Sequence, residues 1–323
     1  MPDEKLLYKV AVDYYEKSKL QTEIADELDI SGAQVSKYLE QARQKGIVNI
    51  EVVPPNLPDD EKTKYERLVE DIFEVDSVRV TSSSTNSNRL LTLLGEEALD
   101  YILSEFSNRE INVGIGWGST MNKLSDLSPS ASRGKWKVVP LCGGTSKIEV
   151  DEFNINRISR SFADRLDATP HSLYLPFLVE KDEIKDNLMQ SHEFEHIHEI
   201  WENLDLVITS VGYSVAKSPL FRQNVLDNRY IDQLEKRDVV GDILSHWFNI
   251  RGEVQNLSYT ESIVNLSMQQ YRNSSHKVVV AGGLHKVESI LGLLRMELID
   301  TLITDVETIE HVLDYVNEGV GNE

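Results

Sequence analysis

The sequence has a single cysteine, Cys142, so no intramolecular disulfide can form and the fold must be held by packing, as in a reducing compartment. No apolar run approaches the ~20 residues needed to span a bilayer, and the opening MPDEKLLYKV has neither a basic leader nor an apolar signal core. Both absences predict a cytoplasmic protein with no membrane partner. Positive charge is also scarce: 33 Lys and Arg face 54 Asp and Glu, for a net charge of -21. Such a deficit counts against nucleic-acid binding, because affinity for a polyanion comes from neutralising its phosphates. The deficit is unevenly placed. Residues 1–53 hold 7 Lys/Arg and 10 Asp/Glu, a net of -3, which leaves -18 on the remainder.

What is present is ordinary globular composition, 40% apolar and 27% charged over 323 residues, with no disorder signature. At ~100–200 residues per domain, one small and one large unit fit this length.

Leu7, Val10, Ala11, Tyr14 and Tyr15 recur at helical spacing, which predicts a first amphipathic helix over residues 4–17. Two more helices are expected over 21–28 and 32–45, separated only by Asp29-Ile30-Ser31. Ser31 suits the N-cap of the later one, since its hydroxyl accepts a first-turn amide that has no partner inside the helix. Ile24, Ala25, Leu28, Val35 and Leu39 form the facing sides, and the small Ala25 permits the close crossing of a helix-turn-helix. That burial leaves Ser31, Ala33, Gln34, Ser36 and Lys37 on the exposed N-terminal face of the second helix, the part that enters a major groove. Gln34 matches an adenine edge and Lys37 a phosphate or guanine. The alternative is a helical pair used only for packing or dimerisation. Gly46 suits a helix end, the β-branched segment 47–53 reads as a wing strand, and PPNLPDDE reads as a linker with a boundary near residue 57.

From Lys62 to Phe73, Tyr65, Leu68, Val69, Ile72 and Phe73 form a helical stripe. Beyond it, strand-like runs (SVRVTS, INVGIG, WKVVPLCGG, SLYLP, LDLVITSVG, KVVVAGG, LITD) alternate with helix-like segments at 88–106, 119–127, 152–167 and 182–203. The alternation predicts an α/β, Rossmann-like domain with a mainly parallel sheet covered by helices. Ligands of such sheets gather beyond the carboxyl ends of the strands. There, Gly116 and Gly118 allow a tight turn in which helix-start amides and the Ser119 and Thr120 hydroxyls surround an anion. Gly143-Gly144 with Lys147, and Gly282-Gly283 with Lys286, also follow buried strands, and several such turns at one sheet edge make a polyol or polyanion pocket. Asp242 suits ligand hydroxyls or, equally, a helix start; Arg222 suits a phosphate or plain solvent.

His192-Glu193-Phe194-Glu195-His196 matches the HExxH zinc-peptidase pattern. Phe194, Ile197, Trp201 and Leu204 form the apolar stripe of the same helix, so both histidines should face away from the core, where a catalytic zinc is not built. A solvated acidic helix face is the preferred reading, and no metal or cofactor is assigned. Cys142 reads as a small buried hydrophobe.

The order of motifs resembles the SorC, or sorbitol-operon regulator, family of bacterial transcription factors over nearly the whole chain. It rests on QTEIADELDIS with QVSKYLEQARQKGIV, VGIGWGSTM, PLCGG with Asn154 downstream, VVGDILSHWFNIRG, and VVVAGGLHKVESILGLLR followed by LITD. The resemblance implies a winged helix-turn-helix at 1–57. It implies an effector and oligomerisation domain at 58–323, similar to the sugar-phosphate isomerase and CoA-transferase-like fold. It also implies operator DNA, a sugar or sugar-phosphate effector, and a homodimer or homotetramer as partners. By motif, the phosphate-contacting turn falls on Gly118, Ser119 and Thr120, the late lysine on Lys286, the acidic contact on Asp242 and a phosphate-facing arginine on Arg222. Two departures stand out: Gly32-Ala33 where relatives often carry Arg-Pro, and Cys142 where some sugar-phosphate binders carry arginine.

The expected function is ligand-controlled DNA binding with no catalytic residue, since no acid/base pair stands out near the Gly-rich turns. The alternatives are a sugar-phosphate isomerase using the large domain and an interaction scaffold that no longer binds DNA.

Overall fold

A computed structural model describes residues 2–48, 58–127, 135–145, 153–255 and 261–320. The chain forms two compact units, residues 1–53 and 54–323.

In the small unit, α1 (Glu4–Ala11) starts at Asp3, whose carboxylate accepts the Leu6 amide, and buries Leu7, Val10 and Ala11. The helix continues as a wider π turn, Val12–Glu16, that tucks Asp13 inward to accept from Lys17 Nζ at 2.9 Å, with Lys19 Nζ 3.8 Å away. The wider turn breaks the 3.6-residue phase, so Tyr15, expected on the buried stripe, is exposed instead. Then α2 (Gln21–Leu28) ends at Asp29 in the left-handed region, and α3 (Gly32–Gln44) starts with Ser31 Oγ accepting the Gln34 amide at 3.2 Å. Val10, Ile24, Ala25, Val35 and Leu39 close the core between these helices. This is the expected helix-turn-helix. Ile47 and Val48 pack on Leu7, Ala11 and Ala42. Residues 49–57, with the rest of the expected wing and the boundary near 57, lie outside the described residues.

The large unit runs α4 (Asp59–Phe73), β1 (Ser77–Thr81), α5 (Ser87–Phe106), β2 (Glu110–Ile115), α6 (Ser119–Asp126), β3 (Lys135–Pro140), α7 (Ile155–Arg165) and β4 (Thr169–Pro170). It continues with α8 (Asp182–Met189), α9 (His192–Glu202), β5 (Leu206–Thr209), α10 (Pro219–Arg222) and α11 (Ile231–Glu235). The hairpin β6 (Val239–Ile243) and β7 (His246–Asn249) follows, then α12 (Met268–Asn273), β8 (Lys277–Val280), α13 (Val287–Leu294), β9 (Thr301–Asp305) and α14 (Val306–Val320).

Seven parallel strands form one sheet in the order β1-β9-β8-β5-β2-β3-β4. Because side chains alternate across a strand, neighbouring residues serve opposite cores. Ile208, Val278, Val280 and Ile303 join the layer with α5, α6 and α7, while Val207, Val279 and Leu302 join the layer with α9, α13 and α14. A third cluster, with Phe177, Phe221, Leu226, Trp247 and Ile263, packs outside the sheet proper.

Two expectations need correction. SLYLP is not a ladder strand; the edge strand is the two-residue β4 before it, and Pro176 makes only a bridge to Gly144. Asp242 starts no helix: it lies on β6, in an antiparallel hairpin that turns through Leu244 and Ser245 at positive φ.

Candidate functional site

The chain passes outward from β2 to β3 on one side and from β5 to β8 and β9 on the other, so the strand order reverses between β2 and β5. A crevice beyond the carboxyl ends is the expected ligand position at such a switch point. Three side chains from three strand ends meet there. Lys286 Nζ, in the turn after β8, donates to Ser210 Oγ at 3.0 Å, and Ser210, just after β5, donates to Thr120 Oγ1 at 3.4 Å. Thr120 and Lys286 are both buried.

Gly118 enters α6 at φ 106 and supplies no side-chain cap, so the first amides of that helix have no intrahelical partner and none from the cap residue. Gly116 is glycine for space, since a Cβ would lie 2.5 Å from Thr209 Oγ1. Ser119 is the first residue of α6 and half-buried.

Electrostatics mark the same place. Burial lowers Lys286 to about 8, opposed by the nearby Asp242 carboxylate. Burial likewise raises Asp242 to about 6, opposed by the Ser245 amide, which donates to Oδ2 at 3.0 Å, and by Lys286. An acid and a base tuned toward neutrality therefore lie beside this contact chain, a pair the sequence did not reveal. Ser210, the hub of the contact chain, was also missed; its signal was its place as the first polar residue after the strand LDLVIT.

Gly143, Gly144 and Asn154 have other engagements. Gly143 passes so close beneath Pro176 that a Cβ would sit 2.3 Å from its carbonyl oxygen, and the Gly144 amide donates to Leu175 O. Asn154 caps α7, its Oδ1 accepting the Arg157 amide at 3.1 Å. Arg222 ends α10 with its side chain exposed. Lys147 lies outside the described residues.

Two other features fall away from this crevice. In α9, Phe194, Ile197 and Trp201 are buried whereas His192 and His196 are exposed, His196 Nε2 sharing a hydrogen bond with His171 Nδ1 at 3.0 Å. Among the described residues no three His, Cys, Asp or Glu side chains converge as a metal site. An open cavity of about 900 Å³ is lined partly by Glu180, Asp182, Glu183 and Asp227, whose charges oppose an anion. None of Thr120, Ser210, Asp242 and Lys286 lines it.

A helix-turn-helix unit and an α/β unit whose switch point gathers Lys286, Ser210 and Thr120 define a ligand-responsive transcription regulator. Residues 59–314 match the family described as "Putative sugar-binding domain". The sorbitol operon regulator of Klebsiella pneumoniae is 27% identical over 313 residues, covering 96% of this chain and 98% of the relative. Its full-length crystal structure superposes with a TM-score of 0.71 over 96% of this chain and 98% of that one. The deoxyribonucleoside regulator of Bacillus subtilis is 28% identical over 297 residues, covering 91% and 93%. The chain belongs to this sugar-binding family, in the SorC group of transcription regulators. Among the described residues no helix is long and apolar enough to cross a membrane.

Proposed function

We propose that the chain is a cytoplasmic operator-binding regulator, a homodimer or homotetramer, whose DNA affinity is set by a sugar phosphate held in the crevice between β2 and β5. The carrying observation is the Lys286–Ser210–Thr120 chain beside the uncapped start of α6. A phosphate fits there because backbone amides, hydroxyls and one buried ammonium all supply donors. Ser119, Thr120, Gly118 and Lys286 take the phosphate, and Asp242 accepts from the sugar hydroxyls. Gly116 shapes the turn beside it; Gly143, Gly144, Lys147, Asn154 and Arg222 enter the proposed effector set on their sequence pattern and the family resemblance alone. In α3, Ala33, Ser36 and Lys37 are exposed beside Ser31 and the half-buried Gln34, and these five face the operator. The effector acts by binding one arrangement of the recognition helices more tightly than the other.

A thermal-shift panel of sugar phosphates, unphosphorylated polyols and carboxylic acids tests this, followed by operator titration with the stabilising compound. Stabilisation by a sugar phosphate, lost in Lys286→Met, supports the reading. No stabilisation by any compound, with no duplex binding at low ionic strength, removes it.

A second reading, a sugar-phosphate isomerase, is favoured by the tuned Asp242 and Lys286 pair. Turnover abolished by Lys286→Ala and unaffected by deleting residues 1–57 would establish it.

A further inference from the structure

Lys286 is placed by its turn, and the turn is placed by something else. The Lys286 amide donates to Gly283 O at 2.9 Å, so the position of Gly283 sets where the lysine leaves the backbone. The Gly283 amide in turn donates to Asp305 Oδ2 at 2.8 Å and to Thr308 Oγ1 at 2.7 Å. Asp305, the last residue of β9, is 1% exposed. Its other oxygen accepts from Ser83 Oγ at 2.7 Å and from the Thr308 amide at 3.3 Å, and Thr308 Oγ1 donates to Oδ2.

One carboxylate therefore joins the carboxyl ends of β1, β8 and β9. The fit leaves no slack. A Cβ on Gly282 would lie 2.4 Å from Asp305 Oδ2, and Gly283 takes φ 96, a conformation that favours glycine. Only an ionised carboxyl accepts from all these donors at once; an amide would turn a donor toward one of them.

We infer that Asp305 is a positioning residue for effector binding: through Gly283 and Thr308 it fixes the turn that delivers the Lys286 ammonium to Ser210, and through Ser210 to the start of α6. The inference rests on the crevice being the effector site. Asp305 touches no ligand in this scheme; it acts through the turn.

The test uses the full chain and sulfate, which stays a dianion across the relevant pH range, with affinity read by thermal shift and calorimetry. The titratable groups around the lysine's turn are Asp242 on β6, which acts on Lys286 itself, and His285, which burial and the Lys286 and Lys217 ammonium groups hold below the ordinary histidine range against the pull of Asp305. In the native chain sulfate affinity falls as pH rises past about 8, where Lys286 loses its proton. Asp305→Asn, and the near-isosteric Thr308→Val should the first not fold, weaken sulfate by about ten-fold. In both, the pH of the fall-off moves upward, because a lysine released toward water regains its ordinary basicity. Variants that keep the native affinity and pH profile overturn the positioning role. If Lys286→Met itself leaves sulfate affinity unchanged, the effector-site reading fails instead.

Discussion

Gly212 is glycine because Asp242 occupies the space a side chain would need: a Cβ there would lie 2.0 Å from Asp242 Oδ1. Gly212→Ala therefore displaces the carboxylate or the β5 turn. It should cost about 1–3 kcal/mol by overpacking and lower effector affinity, which denaturant melts and effector titration would read together. Lys286 gives a pH prediction with a definite sign. Its folded pKa of about 8 lies below the ordinary 10.5, so between these values the unfolded chain holds more protons. Stability contributed by this group therefore rises as pH climbs through that window, while affinity for an anionic effector falls. Lys286→Met should remove this group's contribution to the stability slope in urea melts, and the fall in sulfate affinity, between pH 7 and pH 10. Thr120→Val removes the last acceptor in the Lys286–Ser210 chain without changing shape. Its expected cost in effector binding is about 1.5–3 kcal/mol, with operator affinity unchanged in the absence of effector.

Among the elements, α4 has a task that its apolar stripe does not announce. β1 is an edge strand, and edge amides are templates for pairing with another chain. Glu66 and Glu70, one helical turn apart on α4, accept the Val80 and Val78 amides at 3.0 and 2.8 Å. Two carboxylates spaced by a turn match alternate amides of the strand, so the helix closes the edge. The double change Glu66→Ala with Glu70→Ala leaves two amides without partners, at about 1–3 kcal/mol each, and should raise concentration-dependent self-association in light scattering. A one-sided apolar pattern carried the helices into view, and β-branched runs carried the parallel strands. The β6–β7 hairpin was illegible because its turn uses Leu244 and Ser245, not glycine or asparagine, and is held by a side-chain oxygen from Asp242. The π turn in the small unit was hidden for a similar reason: a buried carboxylate contact, not a period, sets it. In the crevice, glycine turns and Lys286 could be read locally. Ser210 and the Asp242 partnership required knowing which strand ends adjoin.

At the scale of the molecule, acidity and DNA binding are reconciled by segregation, since the small unit holds only -3 of the net charge of -21. Residues 58–323, with cores of their own, should gain thermal stability from a sugar phosphate yet ignore duplex DNA, while the full chain binds operator with a steep salt dependence. Equal duplex affinity for the fragment and the full chain would overturn that division of labour. The separate β6–β7 hairpin also holds Asp242 in two occupations at once, bracing the Ser245 turn and lying near the Lys286 ammonium. A carboxylate can accept several donors at once, so a sugar hydroxyl that reaches Asp242 would share the group that holds the hairpin turn. Removing that one hydroxyl from the sugar would therefore be felt at the β6–β7 turn as well as in the affinity.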